Sequence, residues 1–442
     1  MTDSATSQVP APRQFPVGLV LLAAGGVFAL TMGTRQSMGL FLGTINTHTG
    51  LGLASISLAF AFGQLWWGLT QPFAGMVADR VGAGRVLVAG MLMVALGTAL
   101  VPVMTSTGGL IFAIGVVAAG GAGMAGPSVL MAATTRLIAP SKRAMATGIV
   151  NAGGSFGQFL FVPIAQGITA AAGWVVALQS LAALVLLALP AAWVLRGASV
   201  QATGAAGLAA AKLPAESTDQ AAKPAAESTG QAAKLAAEST SQAIRRALGT
   251  PSFLLLGAGF FVCGFHVAFI ATHLPGIVAA CQLPPAVGAW ALALVGLFNI
   301  VGSLGIGWAM GRWRMKSLLS LVYAVRAVAV AVFVVLPKTE AVVLAFAAVM
   351  GLTFLSTVPP TAGLVAKMFG TAHMATLFGV VMLTHQIGGF LGAYLGGKAF
   401  VATGNYNWMW YADIVLAIGA SLIHLPIREA LLPTRAQATA PA

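Results

Sequence analysis

The chain has 442 residues, 58% of them hydrophobic and only 7% charged, with a formal net charge of +13. Soluble domains are about 25% charged, so this composition excludes a folded water-soluble domain of any size and points to an integral membrane protein. The basic residues are spread rather than clustered, which argues against nucleic acid as a partner, and Cys263 and Cys281 lie in or beside apolar segments, where they imply neither a disulfide framework nor a metal site.

Residues 1–15 form a polar tail carrying Arg13. The apolar run at 16–47 is too long for a signal-peptide core and is expected to persist as a first spanning helix. Arg35 lies inside it. An embedded charge costs roughly 3 kcal/mol on insertion scales, and the usual compensation is an acidic partner or an anionic ligand. The first half's apolar segments carry no acid short of Asp79 at the very end of the second, so Arg35 is expected to meet an anionic ligand. Its guanidinium fork suits a carboxylate. Thr31, Arg35 and Met38 share a helical face at spacings of four and three. The competing reading is an arginine snorkelling to the outer interface.

A spanning helix needs about 20 mostly apolar residues. Further segments of this kind follow at 55–79, 85–103, 108–137, 142–170 and 173–195, then at 253–280, 286–310, 316–336, 341–369, 371–401 and 408–425, making twelve in all. The runs are too long and too uniform for barrel strands. Gln64 and Gln71 form a polar stripe in the second span, and Asn151, Ser155 and Gln158 form another in the fifth. Such stripes line a cavity or bond neighbouring helices.

Between the halves, residues 197–250 contain three eleven-residue units, AKLPAESTDQA, AKPAAESTGQA and AKLAAESTSQA, starting at Ala211, Ala222 and Ala233. They read as a duplicated low-complexity spacer. In the second half, His266 and His273 are seven apart and share a face of the seventh span. Asn299 lies in the eighth, and His385 and Gln386 in the eleventh. Each histidine is either a ligand contact or a packed, hydrogen-bonded core residue. Arg326 in the ninth span and Asp413 in the twelfth lie at depths about 7 Å apart on a helical rise, and a mutual salt bridge is expected. The C-terminal bundle is drawn at 251–430, with a tail at 431–442.

With the N-terminus inside, 18 of the 22 lysines and arginines fall on the cytoplasmic side; Lys338 and Lys398 fall outside, and Arg35 and Arg326 are embedded. That asymmetry puts both termini in the cytoplasm. The halves also resemble each other at an offset near 230. Met145-Ala146-Thr147 recurs as Met374-Ala375-Thr376, and GSFGQFL (Gly154 to Leu160) matches HQIGGFL (His385 to Leu391). The same offset aligns Arg35 with His266, which would aim both at one cavity. Two such repeats in one orientation place a substrate between them and rock around it.

GMVADRVGAGR, Gly75 to Arg85, resembles the loop 2–3 signature of the major facilitator superfamily, G-x-x-x-D-R-x-G-x-x-[RK], and sits where that family has it. The second copy keeps Arg312 and has Gly311 in place of the aspartate. The resemblance implies an all-α membrane fold of two pseudo-symmetric six-helix bundles (16–196 and 251–430) and a secondary transporter. It implies a gating role for Gly75, Asp79, Arg80, Gly82 and Arg85, with Asp79 meeting the N-terminus of the eleventh helix near Thr371 and locking the inner side. GTRQSMGLF (Gly33 to Phe41), CGFHVAFIATHLP (Cys263 to Pro275) and GGSFGQ (Gly153 to Gln158) are similar to the bacterial monocarboxylate and oxalate–formate branch. That branch implies a small organic anion as cargo, with an arginine contact in the eighth helix; here that helix offers Asn299.

The resulting expectation is alternating-access transport of a monocarboxylate across the cell's inner membrane by a monomer, through proton symport or anion exchange. Arg35, His266, His273, Asn151, Gln158, Asn299, His385 and Gln386 are the binding candidates, and no cofactor or metal is called for. The rival is an efflux pump for hydrophobic compounds, although a cationic cargo would call for a buried acid, and none is visible outside the twelfth span. No H-e-x-x-H spacing and no nucleophile with an evident base point to an enzyme.

Overall fold

The computed structural model describes residues 15–139, 142–196, 239–370 and 373–430. The two tails and most of the linker, including the first two eleven-residue units, lie outside the described residues. Among the described residues the fold is helical throughout, with no strand. Backbone polar groups in lipid must be satisfied within the segment, which leaves the helix as the form for long single apolar runs.

The N-terminal half contains α1 (Val17–Thr49), α2 (Leu53–Val81), α3 (Ala83–Val103), α4 (Thr107–Leu137), α5 (Met145–Ala172) and α6 (Trp174–Val194). The C-terminal half contains α7 (Pro251–Ala280), α8 (Pro285–Ala309), α9 (Met315–Val335), α10 (Glu340–Phe369), α11 (Thr376–Thr403) and α12 (Asn407–His424). Among the described residues, the first eleven are long and apolar enough to cross a membrane. The twelfth has 18 residues and is less apolar because it carries Asn407, Asp413 and His424; it packs along α9. Leu22, Leu187 and Val335 are each more than 70% exposed, as side chains bathed in acyl chains must be.

Prolines open α7 and α8 at positions where no backbone donor is missed. Three spans are interrupted. α1 passes through a 3₁₀ turn at Met38–Phe41, directly after Arg35. α4 contains a π-helical stretch at Ile111–Ala118. α10 breaks between Thr353 and Val358, before Pro359 and Pro360. The end of the third linker repeat is structured: Ser239 and Gln242 form a capping box on a short helix, Thr240–Leu248, whose Ala243 and Ala247 are buried.

Each half closes its first helix on its fifth through glycine. A Cβ at Gly157 of α5 would lie 2.0 Å from the carbonyl of Ala29 on α1. The matching Cβ at Gly388 of α11 would lie 1.9 Å from the carbonyl of Phe261 on α7. Backbones approach this closely only without side chains. The halves meet along two seams, α2 with α11 and α5 with α8, and the outer part of α1 touches α7. The seams are tight from mid-depth outward, where Gly397 abuts Ser57 and Gly39 abuts Ala271. Toward the end where both termini lie, Gly75 of α2, Gly148 of α5, Gly305 of α8 and Gly379 of α11 have no such neighbour within 4 Å.

Candidate functional site

Arg35 lines a cavity of about 60 Å³ at mid-depth, together with Thr34, Gln36, Gln64 and Thr98, and with Ala268, Ala271 and Thr272 of α7. Its guanidinium donates to the side-chain carbonyls of Gln64 and Gln36, the latter at 3.3 Å, and lies 4.7 Å from the centre of the Trp67 ring. Among the described residues these polar partners are neutral, and no carboxylate faces the charge. A part-buried cation at membrane depth without an anion is costly unless something charged visits it.

From Arg35 hydrogen bonds run into both seams. Gln64 donates to Gln386 of α11 at 3.1 Å. Gln36 donates to Gln158 of α5 at 3.3 Å, and Gln158 donates to the Leu292 carbonyl of α8 at 2.9 Å. Asn299 of α8 donates to Ser155 at 2.8 Å and accepts from the Leu355 backbone at 3.0 Å, so it braces the α5–α8 seam and the break in α10. Asn151 is exposed. Gln71, the second member of the α2 stripe, accepts from Ser128 on α4 and takes no part in the network.

Three groups that the sequence did not single out belong to this site. Gln36 and Trp67 touch the guanidinium. Thr98 of α3 is fully buried, lines the cavity, and has a hydroxyl with no hydrogen-bond partner. The Trp67 indole N–H and the Gln386 amide nitrogen are likewise unpartnered. Buried donors are rarely left idle; of these, the Thr98 hydroxyl shares the cavity lining with Arg35, where a negatively charged oxygen could satisfy it. Thr98 gave no sequence signal, since a lone threonine in an apolar helix most often bonds its own backbone.

His266 does not line the cavity, contrary to the alignment with Arg35. Gly157 and Gly388 are 231 residues apart, but the carbonyls they press against, Ala29 and Phe261, are 232 apart. The contacts of Gly33 with Phe161 and of Phe265 with Gly392 repeat this one-residue shift. In packed register Arg35 therefore corresponds to Val267, and a helix turns about 100° per residue. His266 is rotated into the core of its own half, where its Nε2 lies 3.4 Å from Oδ1 of Asp413.

The expected direct pair of Arg326 with Asp413 is also absent. Nη2 of Arg326 donates to the carbonyls of Thr353 and Phe354, the latter at 2.7 Å, and lies 3.7 Å from the Cys263 sulfur. Val358 bonds back to Leu355 in a 3₁₀ turn, which leaves the Phe354 carbonyl without its helical donor. An orphaned carbonyl at membrane depth needs a donor, and the guanidinium supplies it. His273 hydrogen-bonds the Ala393 carbonyl at 2.7 Å and packs on Phe269 and Tyr406, as a core histidine does. His385 is buried against Phe260 beside Cys263.

At the loop between α2 and α3, Gly82 has φ of 94°, which a side chain would strain, and this permits the sharp reversal into α3. Arg85 reaches back to the Val81 carbonyl at 3.4 Å, while Arg80 is exposed. Asp79 is half exposed and ion-paired with Arg136 of α4. It was expected at the start of the eleventh helix, whose Thr371 and Ala372 lie outside the described residues. Its partner here, Arg136, is in its own half.

A protein described as the monocarboxylate transporter 13 of Rattus norvegicus is 25% identical over 413 residues, covering 92% of this chain and 88% of that one. An uncharacterized MFS-type transporter, YcxA, of Bacillus subtilis (strain 168) is 26% identical over 174 residues, covering 38% of this chain and 42% of its own length. The family match, to the Major Facilitator Superfamily, takes in residues 22–393 and 256–440. With two six-helix halves meeting at a mid-depth cavity, this multi-pass membrane protein belongs to the major facilitator superfamily of transporters.

Proposed function

We propose that the chain carries a small organic anion, a monocarboxylate, across the inner membrane by alternating access, with both termini in the cytoplasm. The observation that carries this reading is Arg35: a mid-membrane guanidinium that lines a cavity with only neutral partners, with the unpartnered Thr98 hydroxyl on the same lining. A carboxylate entering from the inner end takes the two terminal N–H groups now given to Gln36 and Gln64. Its other oxygen meets Thr98. Those two glutamines lead into the α5–α8 and α2–α11 seams, so filling the site reaches the surfaces on which the halves pivot. The resemblance to a protein named a monocarboxylate transporter supports the same cargo class.

The test is uptake of a panel of labelled carboxylic acids into proteoliposomes, with and without a pH gradient, for wild type and Arg35→Ala. Wild type should accumulate at least one short monocarboxylate and Arg35→Ala should not. Normal transport by Arg35→Ala would overturn the assignment. Export of hydrophobic dyes with no acid transported would favour the efflux reading.

A further inference from the structure

The C-terminal half contains a second set of charged groups that the anion site does not use. Asp413 of α12 is fully buried, and neither carboxylate oxygen has a hydrogen-bond donor. His266 of α7 is also buried, with both ring nitrogens unpartnered, and its Nε2 is 3.4 Å from the carboxylate. Arg326 of α9 is buried as well; one arm is committed to α10 carbonyls, while its Nε and Nη1 are free of partners. Structural ion pairs in cores are normally saturated with hydrogen bonds, because leaving charges unsatisfied is expensive. Here three ionisable groups from three helices meet with capacity to spare.

We infer that His266 and Asp413 form a proton-binding site inside the C-terminal bundle, with Arg326 as its fixed counter-charge, and that its loading and unloading is coupled to transport. The inference rests on the carrier reading above and decides between its two modes, in favour of proton coupling. In the unloaded site the carboxylate is balanced by Arg326. One proton, taken from water on one side of the membrane and held between Oδ1 of Asp413 and Nε2 of His266, adds a positive charge to an apolar interior. The same proton is released on the other side, so nothing is oxidised or reduced.

The groups facing the cluster limit which of them can take part. From α7 come Cys263 and His266, from α9 Arg326 and Tyr323, from α11 His385, and from α12 Asp413. Tyr323 is committed to the Gly259 carbonyl, and Cys263 shares a hydrogen bond with Thr357 at 3.0 Å. His424 of α12 stacks on Tyr323 and bonds the Ala420 carbonyl at 2.6 Å. α10 contributes carbonyls and the Thr357 hydroxyl. Asp413 is thus the acid of the cluster.

Two helices connect this cluster to the anion site. α7 presents His266 to Asp413 on one face and Ala268, Ala271 and Thr272 to the cavity on another. On α11, His385 borders the cluster, and its neighbour Gln386 bonds Gln64. A change of charge at Asp413 therefore acts on two helices that also touch the cavity and the seam.

The first test is infrared difference spectroscopy of the full chain in lipid, titrated from mildly acidic to alkaline pH. Wild type should show a carboxylic-acid carbonyl band, characteristic of a buried site, that titrates with pH and disappears in Asp413→Asn. In His266→Gln, which keeps the acid, its midpoint should move. No titrating band in wild type, or the same band in Asp413→Asn, would overturn the proposal. The second test uses proteoliposomes and labelled L-lactate. Asp413→Asn should keep lactate counterflow, which needs no net proton movement, and lose accumulation driven by a pH gradient. Gradient-driven accumulation equal to wild type would overturn coupling. If wild type shows the titrating band but transports none of the acids, the cargo reading fails and the proton site stands.

Discussion

Gln64 of α2 donates its amide proton to the side-chain carbonyl of Gln386 on α11 at 3.1 Å, across the boundary between the two halves. The carbonyl of the same glutamine holds the guanidinium of Arg35. One side chain thus ties the mid-membrane cation to the opposite bundle, and any anion that claims the guanidinium competes with that tie.

Gln64→Glu should disable the site without dismantling the fold. The new carboxylate would neutralise Arg35 internally; unit charges about 4 Å apart attract by roughly 4 kcal/mol at an effective dielectric near 20. Uptake of the preferred labelled acid should fall by about tenfold or more, while thermal stability holds or rises. Unimpaired uptake would show that Arg35 need not be free of an acid.

Thr98→Val separates a ligand contact from a structural hydroxyl. The Thr98 hydroxyl has no partner, so its removal should not lower stability. A hydrogen bond to a charged ligand is worth about 1.5–3 kcal/mol, which corresponds to a KM raised by about tenfold or more. Uptake kinetics and a thermal melt on the same preparation check both halves of this expectation. A lower melting temperature with unchanged KM would make Thr98 a packing residue.

Gly39→Leu should wedge the outer side open. A Cβ at Gly39 would lie 2.3 Å from the Ala271 carbonyl, at the contact of α1 with α7, and backbone on both sides leaves nothing to yield. In a Cys281→Ser background, a cysteine at position 272 should be shielded from an impermeant maleimide in the parent and labelled in the wedged variant. Transport should drop as closure is blocked. Continued shielding would mean that the helices close elsewhere.

Asp79→Asn should change which state is populated more than how stable the protein is. The Asp79–Arg136 pair is half exposed, and such pairs contribute about 0–1 kcal/mol. If the carboxylate also meets the start of α11 when the inner side closes, its loss favours the inward-open form. A cysteine at Ile149, near the inner end of α5, should then label faster from that side, with transport reduced. Equal labelling rates would remove Asp79 from the gate.

Much of this site was legible in the chain, and the rest failed for identifiable reasons. Arg35 stood out because no acid lies within its own half's apolar runs short of Asp79 at a helix end, and Gln64, Gln158 and Gln386 stood out as polar residues on apolar helices. The turn at Gly82 was legible because few residues tolerate its backbone angle. His266 was misassigned to the cavity because sequence matching aligned the halves at 231, whereas the α1–α5 and α7–α11 contacts set the first-helix register at 232. One residue of slip turns a side chain by about 100°; on α7 the residues that reach the cavity are Ala268, Ala271 and Thr272, while His266 turns to Asp413. Arg326 missed its expected acid because a break in α10, invisible in a hydropathy profile, set free a carbonyl that took the guanidinium.

The order of the apolar runs, their lengths, the doubled pattern and the lone charge of the first helix are properties of the linear chain, because transfer from water to lipid is decided segment by segment. Which helix face meets which neighbour is decided by close packing among residues hundreds of positions apart. That is why Asp413 meeting His266, and Gln64 meeting both Arg35 and Gln386, are facts of the tertiary structure.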